Sequence, residues 1–319
     1  MMSLSNDTPD ISVIVCTYNR AESLRDTLRA LGMQETADGL SVEILVVDNG
    51  STDATRRVVQ EEAQGSRWTI RYLFEARVGK SHALNRGIRE ARADWLAFTD
   101  DDVLPEPSWA QALHDAGRVH PADCVGGRIL PLWAQEPPAW LVGHAPLLAS
   151  LSLLDWGPNP VVGSIHCAYR MYGANMAFRK QIVEAIGPFR ADLGVTGLKR
   201  MRGEDTDFVV RAYHAGKRLA YEPGAVVHHK VPVERMRLSY LRRLRFYEGR
   251  SMVLRGELAR APFPRWLARQ CGEHGLQALW AYGRGRFEQG VHHEMAFWEQ
   301  LGELVEIVKP SHANGALCA

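Results

Sequence analysis

The 319-residue chain predicts an α/β fold: a doubly wound, mostly parallel sheet with flanking helices, plus a C-terminal helical extension. Three observations predict it. From residue 11 to residue 98, β-branched runs alternate with segments of helical period, the pattern of parallel strands joined by crossover helices on both faces. Clusters of unusual polar residues follow the end of each run. Beyond Pro232 the strand-like runs stop and helical spacing takes over.

Residues 11–16, ISVIVC, are nearly all β-branched, as in a strand buried on both faces. TYNR (17–20) breaks the run, and Leu24, Leu28 and Leu31 then recur at helical spacing. The cycle repeats with VEILVV (42–47), the polar turn DNGSTD (48–53) and the helical ATRRVVQEEAQ. It repeats again with TIRYLF (69–74), the loop EARVGK and the helical SHALNRGIREAR. DWLAF (94–98) then runs into three consecutive carboxylates, Asp100, Asp101 and Asp102, stopped by Val-Leu-Pro. Three like charges at a strand end repel unless a cation compensates them. Hard oxygen ligands there suit Mg²⁺ or Mn²⁺, although an isolated triplet reads more simply as a solvated acidic turn.

Composition narrows the function. Apolar content of 46% and charged content of 24% describe an ordinary globular protein. A net charge of +1 argues against a strongly basic nucleic-acid binder. Five scattered cysteines without a CxxC indicate neither a disulfide framework nor a structural zinc site. With no signal-like N-terminus and no apolar stretch near the ~18 residues a membrane helix needs, the expected location is cytoplasmic. GxGxxG and GxxxxGK[ST] are both missing, which removes the dinucleotide and phosphate-loop readings.

Four polar clusters, Thr17–Tyr18–Asn19, Asp48–Asn49, Arg77–Lys80 and Asp100–Asp102, fall after the carboxyl ends of successive strands. In open α/β sheets that edge forms the ligand crevice. Each cluster alone also reads as local chemistry: Asn19 as a helix cap, Asp48 as a turn residue, Arg77 and Lys80 as salt-bridge partners.

ISVIVCTYNR, EILVVDNGSTD, VGKSHALNRGI and WLAFTDDD, in that order and spacing, resemble glycosyltransferase family 2. The resemblance continues through YGANMAFRK (172–180), GEDTDFVVRAYHAG (203–216) and YEPGAVVHHKVP (221–232), spanning about residues 10–235. It implies a GT-A domain over 1–232, with a nucleotide-binding half at 10–115 and an acceptor and catalytic half at 116–232, followed by the helical extension 233–319. It also implies inverting transfer from a nucleotide-diphosphate sugar. In that pattern Thr17, Tyr18 and Asn19 flank the nucleotide and Asp48 meets the base. A carboxylate there can accept from a uracil N–H, which favours uridine or thymidine over purines; the expected donor is a UDP-sugar. Arg77 and Lys80 offer cations to base or diphosphate. Asp100 and Asp102 match the DxD pair, with Asp102 on Mn²⁺ or Mg²⁺, Asp100 on the ribose or a metal water, and Asp101 as spacer. Gly173, Ala174 and Asn175 would line the sugar pocket, and His229, ahead of His228, would be a further metal ligand. Asp205 matches the catalytic base and Glu204 the group that binds acceptor hydroxyls, although an acid at that point is also good helix-capping chemistry. The acceptor stays open among saccharide, lipid-linked and small-molecule hydroxyls. The rival readings are a sugar-nucleotide nucleotidyltransferase, which wants a Gly-rich loop after the first strand, and a non-catalytic nucleotide-sugar-binding protein, which has no need of an intact acid pair.

Residues 118–170 fit the family least; Trp133, Trp140 and Trp156 there suit either an acceptor-side loop or a connector packing its own aromatics. The glycine-rich stretch 190–203 is a candidate lid. In the extension, Leu238, Leu241, Leu244 and Tyr247 recur every three residues, and positions 235–260 hold eight arginines against two glutamates. Such a basic helix either lies on anionic lipid as a peripheral membrane contact or presents a solvated face.

Overall fold

The computed structural model describes residues 8–37, 39–196, 199–258 and 263–309, so Gly197 and Leu198 of the lid candidate lie outside the described residues. Nine strands form its main sheet: β1 (Ile11–Thr17), β2 (Val42–Asp48), β3 (Thr69–Phe74), β4 (Trp95–Asp100), β5 (Val103–Pro105), β6 (Cys124–Trp133), β7 (Val161–Val162), β8 (Met176–Arg179) and β9 (Leu219–Val231). Their order is β3-β2-β1-β4-β8-β6-β9-β5, with β7 added beside β9.

The first half is parallel, as the alternating pattern predicts. In register, Thr17 pairs with Asp48, Asp48 with Phe74 and Cys16 with Asp100, so four strands finish in line on one edge. Every residue of β2 is buried, which accounts for its unbroken apolar run. The second half is mixed: β8 runs antiparallel to both β4 and β6, while β9 is parallel to β6 and antiparallel to β5.

The chain divides into two compact units rather than splitting once after residue 232. The first comprises Met1–Glu136, Leu151–Lys199 and Glu204–Pro232; the second comprises Pro137–Ser150, Arg200–Gly203 and Val233–Ala319. The two short excursions join the second unit through specific bonds. Arg245 donates to the Ser150 hydroxyl at 3.1 Å, Arg202 to the Ser150 carbonyl at 2.7 Å, and the Arg202 amide to Ser251 at 3.0 Å. The tryptophan-rich stretch is shared out accordingly. Trp156 packs on Tyr221 in the first unit, ring centres 5.1 Å apart, and Trp140 on Phe287 in the second at 6.3 Å.

Three helices, Leu238–Arg255, Arg265–Gly283 and Phe287–Val308, build the second unit around Val253, Leu267 and Ile307. Gly249 and Gly302 let the first and third come into backbone contact: a Cβ at either would collide with a carbonyl oxygen of the facing helix, Glu299 or Phe246. The same helices are laced by ion pairs, Arg242–Glu294 at 2.7 Å, Arg250–Glu306 at 2.8 Å and Arg245–Glu299. Arg255 pairs with Glu248 at 3.2 Å and Glu257 at 2.6 Å. The arginine-rich helix therefore turns much of its charge inward and does not offer the basic lipid-facing stripe that its sequence suggests. Among the described residues no helix is long and apolar enough to cross a membrane.

Candidate active site

The site is built where β1, β2 and β4 end. Thr17 donates to Asp101 Oδ2 at 2.8 Å, and the Arg20 guanidinium donates to Asp101 Oδ1 at 3.1 Å and Asp102 Oδ2 at 2.8 Å. Sequence reasoning passed over Arg20, yet it answers the repulsion within the triplet. Its signal was a lone cation in the break after β1. Burial pushes the Asp101 carboxyl up to about 6, with Arg20 opposing and Asp102 adding to the rise.

The triplet splits by direction. Asp100 accepts a 2.6 Å bond from Lys80 Nζ, whose ammonium also lies 3.8 Å from Glu204. Burial pulls the Lys80 pKa down, but Asp100 and Glu204 outweigh it and hold the ammonium above the ordinary lysine range. Asp102 instead lies 3.4 Å from His229 Nε2, both side chains buried. His228 faces the other way, 3.0 Å from Glu106, because side chains alternate along β9.

Glu204 and Asp205 open the helix Glu204–His214. Asp205 Oδ2 accepts from the Gly173 amide and Oδ1 from the Thr206 amide, each at 2.8 Å. A Cβ on Gly173 would sit 3.6 Å from Asp205 Oδ2 and 3.9 Å from Lys80 Nζ, so Gly173, Lys80 and Asp205 converge. Burial and the Asp205 charge push Glu204 up to about 7, against the pull of Lys80.

Other expected residues hold the frame. Asp48 accepts from the Tyr72 hydroxyl at 2.7 Å and the Ser51 amide at 2.8 Å, a turn-anchoring role that leaves each oxygen a further lone pair. Tyr18, which follows Thr17 at the end of β1, is exposed. Asn19, at φ +52°, does not cap the following helix. Its Oδ1 accepts from the Thr52 amide at 2.7 Å, joining two loops, and Asp53 caps by accepting from the Ala21 amide at 3.0 Å. Arg77 is bonded to Glu75 at 2.9 Å and does not join the Lys80 cluster, which fits the salt-bridge alternative. Ala174 is buried with its carbonyl accepting from Thr99 at 3.0 Å. The buried Asn175 amide donates to the Arg128 and Ala225 carbonyls and accepts from Trp109 Nε1, all between 2.8 and 2.9 Å, so that side chain belongs to the framework rather than to a sugar pocket.

Asp102 and His229 suit a hard divalent ion as an oxygen and an imidazole ligand. Asp100 is turned away to Lys80, and no group of three such side chains is poised to cage a metal among the described residues. Two protein ligands are adequate for Mg²⁺ or Mn²⁺, which complete their shells with phosphate oxygens and water.

The model for glycosyl transferase family 2 matches residues 12–156, and that for glycosyl transferase family group 2 matches residues 139–298, half of the chain. The chain belongs to glycosyltransferase family 2. This glycosyltransferase is 28% identical over 281 residues to the succinoglycan biosynthesis protein ExoM of Rhizobium meliloti, covering 87% of this chain and 81% of that one. It is 26% identical over 245 residues to a glucosyl-dolichyl phosphate glucuronosyltransferase of Haloferax volcanii, covering 76% and 75%. The mannosyltransferase of Pyrobaculum calidifontis, solved with GDP-Man and Mn²⁺, superposes with a TM-score of 0.55 at 22% identity over 98% of this chain and 77% of that one. TarS of S. aureus in complex with UDP superposes with a TM-score of 0.52 at 14% identity, over 92% and 90%. The glycosyltransferase thus has the GT-A fold.

Proposed function

We propose that this glycosyltransferase moves a sugar from a UDP-sugar to an acceptor hydroxyl with inversion, aided by a divalent ion, with Asp205 as general base. The observation that carries this is the convergence of Asp205, Glu204, Lys80, Asp100 and the Gly173 amide at the carboxyl edge of the sheet. In the chemical step the acceptor oxygen attacks the anomeric carbon as its proton passes to Asp205. The bond from that carbon to the diphosphate breaks, and the electron pair leaves with the nucleotide diphosphate. A single in-line displacement inverts the configuration. The two backbone amides on Asp205 hold its carboxylate in one orientation, and Glu204 beside it is placed to accept from acceptor hydroxyls. Lys80 offsets the charge of Asp100 and lies 3.8 Å from Glu204, which lessens the repulsion that an anionic donor meets there.

Asp102 and His229 would hold the divalent ion, which when bound offsets charge growing on the departing diphosphate. Support for such an ion comes from the Mn²⁺ in the mannosyltransferase complex and in the complex of GalNAc-T7 with UDP and GalNAc. Support for uridine is the Asp48 carboxylate at the end of β2, an acceptor for a uracil N–H.

The test is a screen of nucleotide sugars for Mn²⁺-dependent turnover, repeated with Asp205→Asn. The expected result is a kcat lower by about 10²–10⁴ with UDP affinity nearly unchanged, the effect of removing a proton acceptor. Parallel loss of UDP binding and turnover would instead make Asp205 a helix cap.

A further inference from the structure

The helix Arg265–Gly283 buries one face, Leu267, Cys271, Ala278 and Ala281, and leaves another uncovered. On that open face Leu276 and Leu279 are each 70% exposed and Trp280 is 47% exposed. Spacings of three and four residues put them side by side. Phe287, 45% exposed, follows the turn that ends the helix and packs on Tyr282, ring centres 5.7 Å apart. Single exposed apolar residues are ordinary, but four at one corner call for a partner.

The turn supplies the charge. Arg284 and Arg286 are exposed, and their guanidinium groups stand over the Trp280 ring at 4.6 and 5.1 Å. The turn is stiff: the Arg284 amide donates to the Trp280 carbonyl at 3.2 Å and the Arg286 amide to the Ala281 carbonyl at 2.9 Å, around Gly285 at φ +71°. Neither arginine has a carboxylate within ion-pair distance among the described residues, unlike those of the helix Leu238–Arg255. From His274 to Phe287 the sequence holds no acid; Glu273 just before it is tied to Arg269 at 2.7 Å, and the exposed Glu288 just after it leaves the two arginines in excess.

We propose that this corner, Leu276, Leu279, Trp280, Arg284, Arg286 and Phe287, docks the protein on an anionic lipid surface. Tryptophan with an apolar body and polar edge suits the boundary between headgroups and acyl chains. Leucines beside it enter the apolar layer while the two guanidinium groups meet lipid phosphates. The charge also weighs against a second copy on this face, since a two-fold contact would bring four arginines together against only the two copies of the neighbouring Glu288. The docking corner is separate from the basic helix that the sequence singles out, and it does not depend on the donor-site reading.

The experiment is co-sedimentation of the full-length protein with vesicles of phosphatidylglycerol and phosphatidylcholine, against vesicles of phosphatidylcholine alone. The wild type binds the anionic vesicles and not the neutral ones. Arg284→Gln with Arg286→Gln weakens that binding roughly thirtyfold, about 1 kcal/mol per arginine near a charged surface. Leu276→Ser with Leu279→Ser weakens it by about tenfold or more through lost apolar burial. Both double variants alter exposed side chains, and circular dichroism checks that they keep the fold. Absence of wild-type binding, or undiminished binding by the variants, overturns the proposal. So does concentration-dependent self-association of the wild type that the leucine variant abolishes, which would assign the face to a second copy.

Discussion

Lys80 places one ammonium among several carboxylates, 2.6 Å from Asp100 and 3.8 Å from Glu204. That single cation does not satisfy Glu204, whose carboxyl is pushed up to about 7 by burial and by Asp205. The native state therefore holds the Glu204 proton more tightly than the unfolded chain does. The resulting contribution to stability is complete below the ordinary glutamate range and is lost as pH rises toward about 7. Glutamine keeps the neutral shape at every pH, so Glu204→Gln gains stability relative to wild type on going from about pH 5 to about pH 8, on the order of 3 kcal/mol. Urea unfolding of both proteins at the two pH values measures this. A wild type that gains on the variant as pH rises would show that Lys80 dominates Glu204. At this scale the sequence was informative about residue types and weak on partners. Asp205 and Lys80 were legible because they sit in recurring motifs. Arg20 was not, because what it neutralises lies some eighty residues further along the chain.

At the scale of elements, the helices Leu238–Arg255 and Phe287–Val308 depend on two glycines that allow backbone contact. A methyl at Gly249 would meet the Glu299 carbonyl, and one at Gly302 the Phe246 carbonyl, neither a flexible side-chain end that can swing aside. Alanine has the better intrinsic helix propensity by about 1 kcal/mol, so an isolated helix would gain from either change. Here overpacking reverses the sign: Gly249→Ala or Gly302→Ala costs about 2 kcal/mol or more. Chemical denaturation followed by circular dichroism reads the loss, and a variant as stable as wild type would mean that the helices separate at little cost. The three-residue leucine spacing predicted the first of these helices, and Leu241 and Leu244 are buried as that spacing requires. Its arginines looked solvent-facing or lipid-facing because Glu294, Glu299 and Glu306 lie about fifty residues downstream, outside any local window.

For the whole molecule, the parallel half of the sheet was legible because each crossover leaves a helix-period segment between two strand-period ones. The mixed half was not. β8 fits between β4 and β6 by pairing Trp95 with Arg179 and Cys124 with Phe178, and antiparallel neighbours need no alternating signature. The same non-locality brings His229, on β9, to Asp102, which follows β4. A ligand that uses both residues stabilises only the folded chain. At a hundred times its Kd, UDP contributes about 2.7 kcal/mol, a rise in Tm of roughly 5 °C for a chain of this size. If Asp102 and His229 hold the ion that meets the diphosphate, the rise needs Mn²⁺ as well as UDP, and His229→Ala shrinks it. Arg20 sharpens the expectation: without the ion it already offsets Asp101 and Asp102, so Mn²⁺ alone displaces a bonded guanidinium and raises Tm little. Thermal denaturation with UDP, with Mn²⁺ and with both separates these cases. An equal rise with UDP in the presence of a chelator would remove the ion from the donor site.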